Sequence, residues 1–258
     1  MKLIRHSDAQ FPRRLRELTA PSSLFDPVIE QRTRAILEEV QRRGDDAVIE
    51  FTERFDGARL PVSRLCVSQA ELMTASLKAD GSLRAAVAEA EKNIANFAKK
   101  SLRKNWRMKN SHGAAVGEKF DPFQRVGIYI PGGTAPLAST ALMTITLAKV
   151  AGCPEIVVCT PCGKDGSINP ALLFVVRAAG ATEIYRVGGA QAIAAMALGT
   201  NTIRRVQKVF GPGNAYVVTA KRLLFGYVAV DLLPGPSELL VLADDTANSR
   251  FIAADMLA

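Results

Sequence analysis

The sequence predicts an α/β protein built on a parallel sheet, and two observations carry that prediction. From Arg125 onward, short runs rich in Val and Ile alternate with helical stretches, the pattern of βαβ units whose sheet is covered on both faces. Most of these runs end in a turn that carries glycine before the next helix begins. Right-handed crossovers place such turns along one edge of the sheet, where open α/β sheets hold their ligands.

The chain of 258 residues is 48% hydrophobic with mixed charge, so it is globular and long enough for one large α/β domain or two smaller ones. Residues 1–25 read as a basic, proline-marked arm that buries no core of its own. Asp26-Pro27 supplies an N-cap and a first-turn proline. Ile29, Ile36, Leu37 and Val40 then form one helical stripe, closed by Gly44. A second helix from Asp45 turns Ala47, Val48, Phe51 and Phe55 inward and ends at the Asp56-Gly57 turn. Ser68-Gln-Ala-Glu71 is a capping box. The helix it opens ends near Asp80-Gly81, and Leu83, Val87, Ala90, Ile94 and Phe97 mark an amphipathic helix after it. Residues 105–120 alternate as a hairpin around Ser111-His-Gly113.

Strands are expected at 126–130, 155–159, 183–187, 206–210, 227–231 and 239–243, with helices at 137–150, 170–179, after Gln191 to Leu198, after Asn214 to Leu224, and beyond Asp244. The apolar run 137–150 is shorter than the ~20 residues of a membrane span and reads as a buried helix, so no membrane partner is expected. The opening Met1-Lys-Leu-Ile-Arg-His6 turns polar at once. That predicts no signal peptide, a cytoplasmic location and reduced thiols at Cys66, Cys153, Cys159 and Cys162. Cys159-Thr-Pro-Cys162 lacks the second pair of a zinc knuckle. The net charge is +8, with much of the excess at Lys99, Lys100, Arg103, Lys104, Arg107 and Lys109. These residues read as a solvated helix end rather than a nucleic-acid patch, because no RNP, KH or zinc-finger pattern accompanies them.

Four turns carry the candidate chemistry: Tyr129 with Pro131-Gly-Gly133, Gly188-Gly-Ala-Gln191, Gly211-Pro-Gly-Asn214, and Pro234-Gly-Pro-Ser237. Glycine beside a helix start lets backbone N–H groups approach a phosphate, and the helix dipole adds to the attraction. None of these turns is GxGxxG or Walker A, and no HExxH, GxSxG or Cys–His arrangement is present. The two histidines, His6 and His112, lie outside the α/β region, and Ser237 has no base evident in sequence.

Val126-Gly-Ile-Tyr-Ile-Pro-Gly-Gly133, Val187-Gly-Gly-Ala-Gln-Ala-Ile-Ala194, Phe210-Gly-Pro-Gly-Asn-Ala-Tyr216 and Pro234-Gly-Pro-Ser-Glu238 together resemble the histidinol dehydrogenase family, in the family's order and spacing. The resemblance implies a zinc enzyme that uses two NAD in succession to oxidise L-histidinol through an aldehyde to L-histidine, the last step of histidine biosynthesis. It implies NAD contacts at Tyr129, Gln191 and Asn214, and a substrate contact at Ser237. It also implies two incomplete Rossmann-like domains in an intertwined homodimer. The first domain would be split, with its opening segment at 26–128, the second inserted at 129–237, and a return at 238–258. The family's zinc ligands and its Glu-His acid–base pair would lie beyond residue 258, so the chain reads as a fragment carrying the cofactor side, with no catalytic or metal residue of its own. Two alternatives remain: a non-catalytic nucleotide- or partner-binding module, and a related zinc- and NAD-dependent alcohol dehydrogenase with another substrate.

Overall fold

The fold is that of a computed structural model, which describes residues 7–18, 25–132, 137–233 and 239–257. Contacts divide the chain into a large unit, Pro27–Leu233, and a small one holding the described parts of 1–26 and 234–258.

The small unit opens with helix α1 (Phe11–Leu18), in a stretch read from sequence as a basic, proline-marked arm. Asp8 C=O accepts the Phe11 N–H at 2.8 Å, and Pro12 sits in the first turn, where its missing N–H costs nothing.

The large unit begins with α2 (Pro27–Arg43) and α3 (Asp45–Asp56). Next come α4 (Gln69–Lys78), α5 (Gly81–Ser101) and the hairpin of β1 (Trp106–Lys109) and β2 (Ala115–Glu118). The capping box is formed: Ser68 Oγ accepts the Glu71 N–H at 3.3 Å and the Ser68 N–H donates to Glu71 Oε2 at 2.9 Å. Asp80 caps α5 by accepting the Leu83 N–H at 2.7 Å. Two sequence expectations fail in these helices. Phe55 and Phe97 lie on the expected inward stripes but are 51% and 77% exposed. Phe55 stacks on the buried Phe51 with ring centroids 5.7 Å apart, and Phe97 turns outward beside the buried Ala98.

The sheet comprises β3 (Arg125–Tyr129), β4 (Glu155–Thr160), β5 (Glu183–Arg186), β6 (Lys208–Phe210) and β7 (Ala229–Val230). Every pairing is parallel, in the order β5-β4-β3-β6-β7. The connecting helices are α6 (Ala138–Ala151), α7 (Pro170–Ala179), α8 (Gly189–Leu198) and α9 (Ala215–Leu224). Strand alternation sorts the core into two. Val126, Ile128, Ile130, Ile156 and Val158 pack under α4, α5, α6 and α7. Tyr129, Val157, Cys159 and Tyr185 pack under α2, α3, α8 and α9. The helices that precede the sheet in sequence therefore cover both of its faces.

The β5 edge is closed by residues 65–67, which run antiparallel to it: Val67 N–H donates to Ile184 C=O at 2.8 Å and Arg186 N–H to Leu65 C=O at 2.9 Å. At the start of the central strands the buried Arg125 guanidinium bonds Glu155 at 2.5 Å and Glu183 at 2.7 Å. Arg125 holds the Glu183 carboxyl down at about 2.

Beyond the large unit, residues 239–243 form no strand, contrary to the sequence expectation, and α10 (Ser249–Leu257) follows. A strand exists through its pairing partner, and none is found for this run among the described residues. Leu240 and Leu242 are accordingly 82% and 88% exposed.

Candidate functional site

The sheet order makes a reversal between β3 and β6: the chain moves outward from β3 through β4 to β5, then crosses back to β6 on the other side. A crevice opens at such a switch point, outside the carboxyl ends of the strands. A cavity of about 1360 Å³ lies at this edge, and Tyr129, Gln191 and Asn214 all line it. Three of the four sequence-expected site residues are thus brought together. The fourth, Ser237, lies outside the described residues.

Tyr129 ends β3 and is 3% exposed. Its hydroxyl accepts the Gly189 N–H at 3.1 Å, which occupies one of the free donors at the start of α8, a helix with no side-chain cap. Burial pushes the phenol up to about 12, so Tyr129 keeps its proton and remains a donor. Gln191, one turn into α8, is 1% exposed, and both its Oε1 and Nε2 lack a hydrogen-bond partner. It folds back over Gly189: a Cβ added there would come within 2.7 Å of Gln191 Oε1, and φ is +62°. Only glycine meets both demands.

Asn214 is the N-cap of α9. Its Oδ1 accepts the Tyr216 N–H at 3.1 Å and the Val217 N–H at 3.2 Å, so a ligand would meet its amide N–H groups. The turn before it is clamped from beneath. The buried Lys221 ammonium donates to Gly211 C=O at 2.9 Å and pairs with Asp231, and Asp231 Oδ2 accepts the Gly211 N–H at 2.9 Å. Gly211 itself has φ +126°, and an added Cβ would lie 2.1 Å from Tyr129 C=O. The β6 turn therefore presses directly on the end of β3, which ties Asn214 to Tyr129.

Sequence reasoning missed three residues here. Asp56, at the end of α3, also lines the cavity. Its Oδ2 is buried without a partner, and burial lifts its carboxyl to about 6. The Asp56-Gly57 pair had signalled only a turn, and nothing local in the sequence reveals the burial. The Lys221–Asp231 clamp is equally silent in sequence, since neither residue belongs to a motif.

Cys66, Cys153, Cys159 and Cys162 are free thiols. Among the described residues no three His, Cys, Asp or Glu side chains form a group that could hold a metal ion, so the zinc implied by resemblance has no seat among them. No helix among them is long and apolar enough to cross a membrane.

Strand order, sheet coverage and a cavity at the switch point define a doubly wound α/β protein of the Rossmann-like class. The family model for histidinol dehydrogenase matches residues 22–258, and the chain belongs to that family. It is 47% identical over 234 residues to a histidinol dehydrogenase of Symbiobacterium thermophilum, which covers 91% of this chain and 53% of the relative. It is 44% identical over 252 residues to that of Bradyrhizobium diazoefficiens, covering 98% and 58%. The crystal structure of histidinol dehydrogenase from Elizabethkingia anophelis superposes with a TM-score of 0.81 at 40% identity, covering 89% of this chain and 53% of that one. The chain spans about half the length of the curated relatives it matches.

Proposed function

We propose that this chain is the cofactor-binding portion of a histidinol dehydrogenase, in which NAD accepts hydride as L-histidinol is oxidised through histidinal to L-histidine, the final step of histidine biosynthesis. The observation that carries the reading is Gln191, a carboxamide with both polar atoms buried and unpartnered at the wall of the switch-point cavity. Native proteins rarely leave such groups unsatisfied. A ligand amide, which offers one donor and one acceptor, meets both needs at once.

The remaining residues fit the same cofactor. Tyr129 donates its hydroxyl proton, and the Asn214 amide donates from the start of α9. Glycine at 132, 163 and 189 brings backbone to the cavity wall. The same reading includes Ser237 as a substrate contact, zinc held by residues beyond those described, a cytoplasmic homodimer, a first domain split around 129–237, and no role for nucleic acid or membrane.

The test is calorimetric titration of the purified chain with NAD, paired with thermal unfolding. Saturable binding that raises the unfolding midpoint is the expected outcome. Failure of millimolar NAD to bind or to stabilise the chain overturns the reading.

A further inference from the structure

Asp56 is placed against its own stability. It is the last residue of α3, where the helix dipole disfavours a negative charge. Its Oδ2 is sealed from solvent and accepts no hydrogen bond. It lies over the start of α8, so close that a Cβ added to Gly188 would come within 3.1 Å of Oδ2. The other carboxylates lining the cavity, Glu39 and Glu50, are both engaged by arginine: Glu39 by Arg42 and Arg43, Glu50 by Arg43. Among the described residues, Asp56 alone of the lining carboxylates has no cation or donor beside it. On the same wall, the buried Gln191 carboxamide is likewise unpartnered. Two orphaned polar groups on one cavity wall point to a shared ligand rather than to two separate defects.

A carboxylate accepts hydrogen bonds and repels phosphate. In a nicotinamide dinucleotide the vicinal hydroxyls of each ribose offer a pair of donors to such an acceptor. Resting on the NAD reading above, we propose that Asp56 is a cofactor-binding residue whose carboxylate accepts hydrogen bonds from a ribose diol of the dinucleotide. It would fix the sugar while Gln191 and Tyr129 hold other parts of the ligand. The position differs from that of the acidic residue in a GxGxxG unit, which follows the first glycine turn by ~20 residues. Here the carboxylate comes from a helix that precedes the whole sheet.

The test is a cycle between protein and ligand. Affinity is measured for NAD and for two dideoxy analogues, one lacking the 2′ and 3′ hydroxyls of the adenosine ribose and one lacking those of the nicotinamide ribose. Each ligand is titrated into the unsubstituted chain and into Asp56→Asn. That substitution keeps shape, removes no hydrogen bond made by the chain and relieves a buried charge, so thermal unfolding serves as the check that the variant is folded. Asp56→Asn is expected to weaken NAD at least tenfold, as for a lost charge-assisted bond. One dideoxy analogue should be at least tenfold weaker than NAD on the unsubstituted chain but within twofold of NAD on the variant, which identifies the ribose. The assignment is overturned if the variant binds NAD within twofold of the original, or if both analogues bind the unsubstituted chain as NAD does. Absence of NAD binding by the unsubstituted chain would instead overturn the cofactor reading itself.

Discussion

Gln191 and Asp56 each hold polar atoms away from water with no partner among the described residues. An unsatisfied buried amide costs about 1–3 kcal/mol. Gln191→Leu, close in volume, is therefore expected to stabilise the ligand-free chain by about 1 kcal/mol while weakening NAD; urea unfolding and titration on the same variant check both halves. Asp56 makes a second prediction, in pH. Its carboxyl rises from an ordinary 3.8 to about 6 on folding, so between those values the folded chain binds the proton more tightly than the unfolded chain. Its contribution to stability then falls as pH rises through that window. The nearby Tyr129 and Cys162 are both shifted upward by burial and stay protonated there. Asp56→Asn should leave the unfolding midpoint almost unchanged at pH 4 and raise it at pH 7.5. Equal shifts at both pH values would contradict this.

At the scale of the element, the turn from β6 into α9 depends on what lies under it. Lys221→Met removes the ammonium that holds Gly211 C=O and leaves Asp231 buried and unpaired. A loss of about 3–5 kcal/mol is expected, measured by urea unfolding, with a weaker NAD response because Asn214 rides on that turn. The turn itself was legible in the sequence, since Gly-Pro-Gly-Asn reports its own backbone demands. So were the helix at 170–179, the capping box at Ser68 and the hairpin, all set by local periodicity and local caps. The clamp was not legible, because Lys221 and Asp231 meet only once α9 and the end of β7 are in place. The expectation of a strand at 239–243 failed for a related reason: its apolar pattern described a strand, but pairing depends on residues elsewhere. Asp56-Gly57 does make the helix-ending turn that the sequence signalled, with Gly57 in the left-handed region at φ +71°, but Asp-Gly signals a turn whether or not its carboxylate is later buried.

On the scale of the molecule, the parallel sheet and the gathering of the turns on one edge could be expected from alternating strands and helices. The order of strands could not, since periodicity carries no information on neighbours. Nor could the coverage of both sheet faces by α2 to α5, which joins the opening helices to the large unit. The order has a consequence in chain entropy as well as in space. β3 pairs with β4, which follows it after one helix, and with β6, which arrives only after two more strand–helix units. Closing the longer loop demands more chain entropy. Among the pairings of the five strands, the β3–β6 seam therefore closes the longest loop, and the crevice opens at the costliest of those closures. A dinucleotide seated across it would bridge two strands far apart in the chain, acting as a latch on the seam that costs the most chain entropy to close.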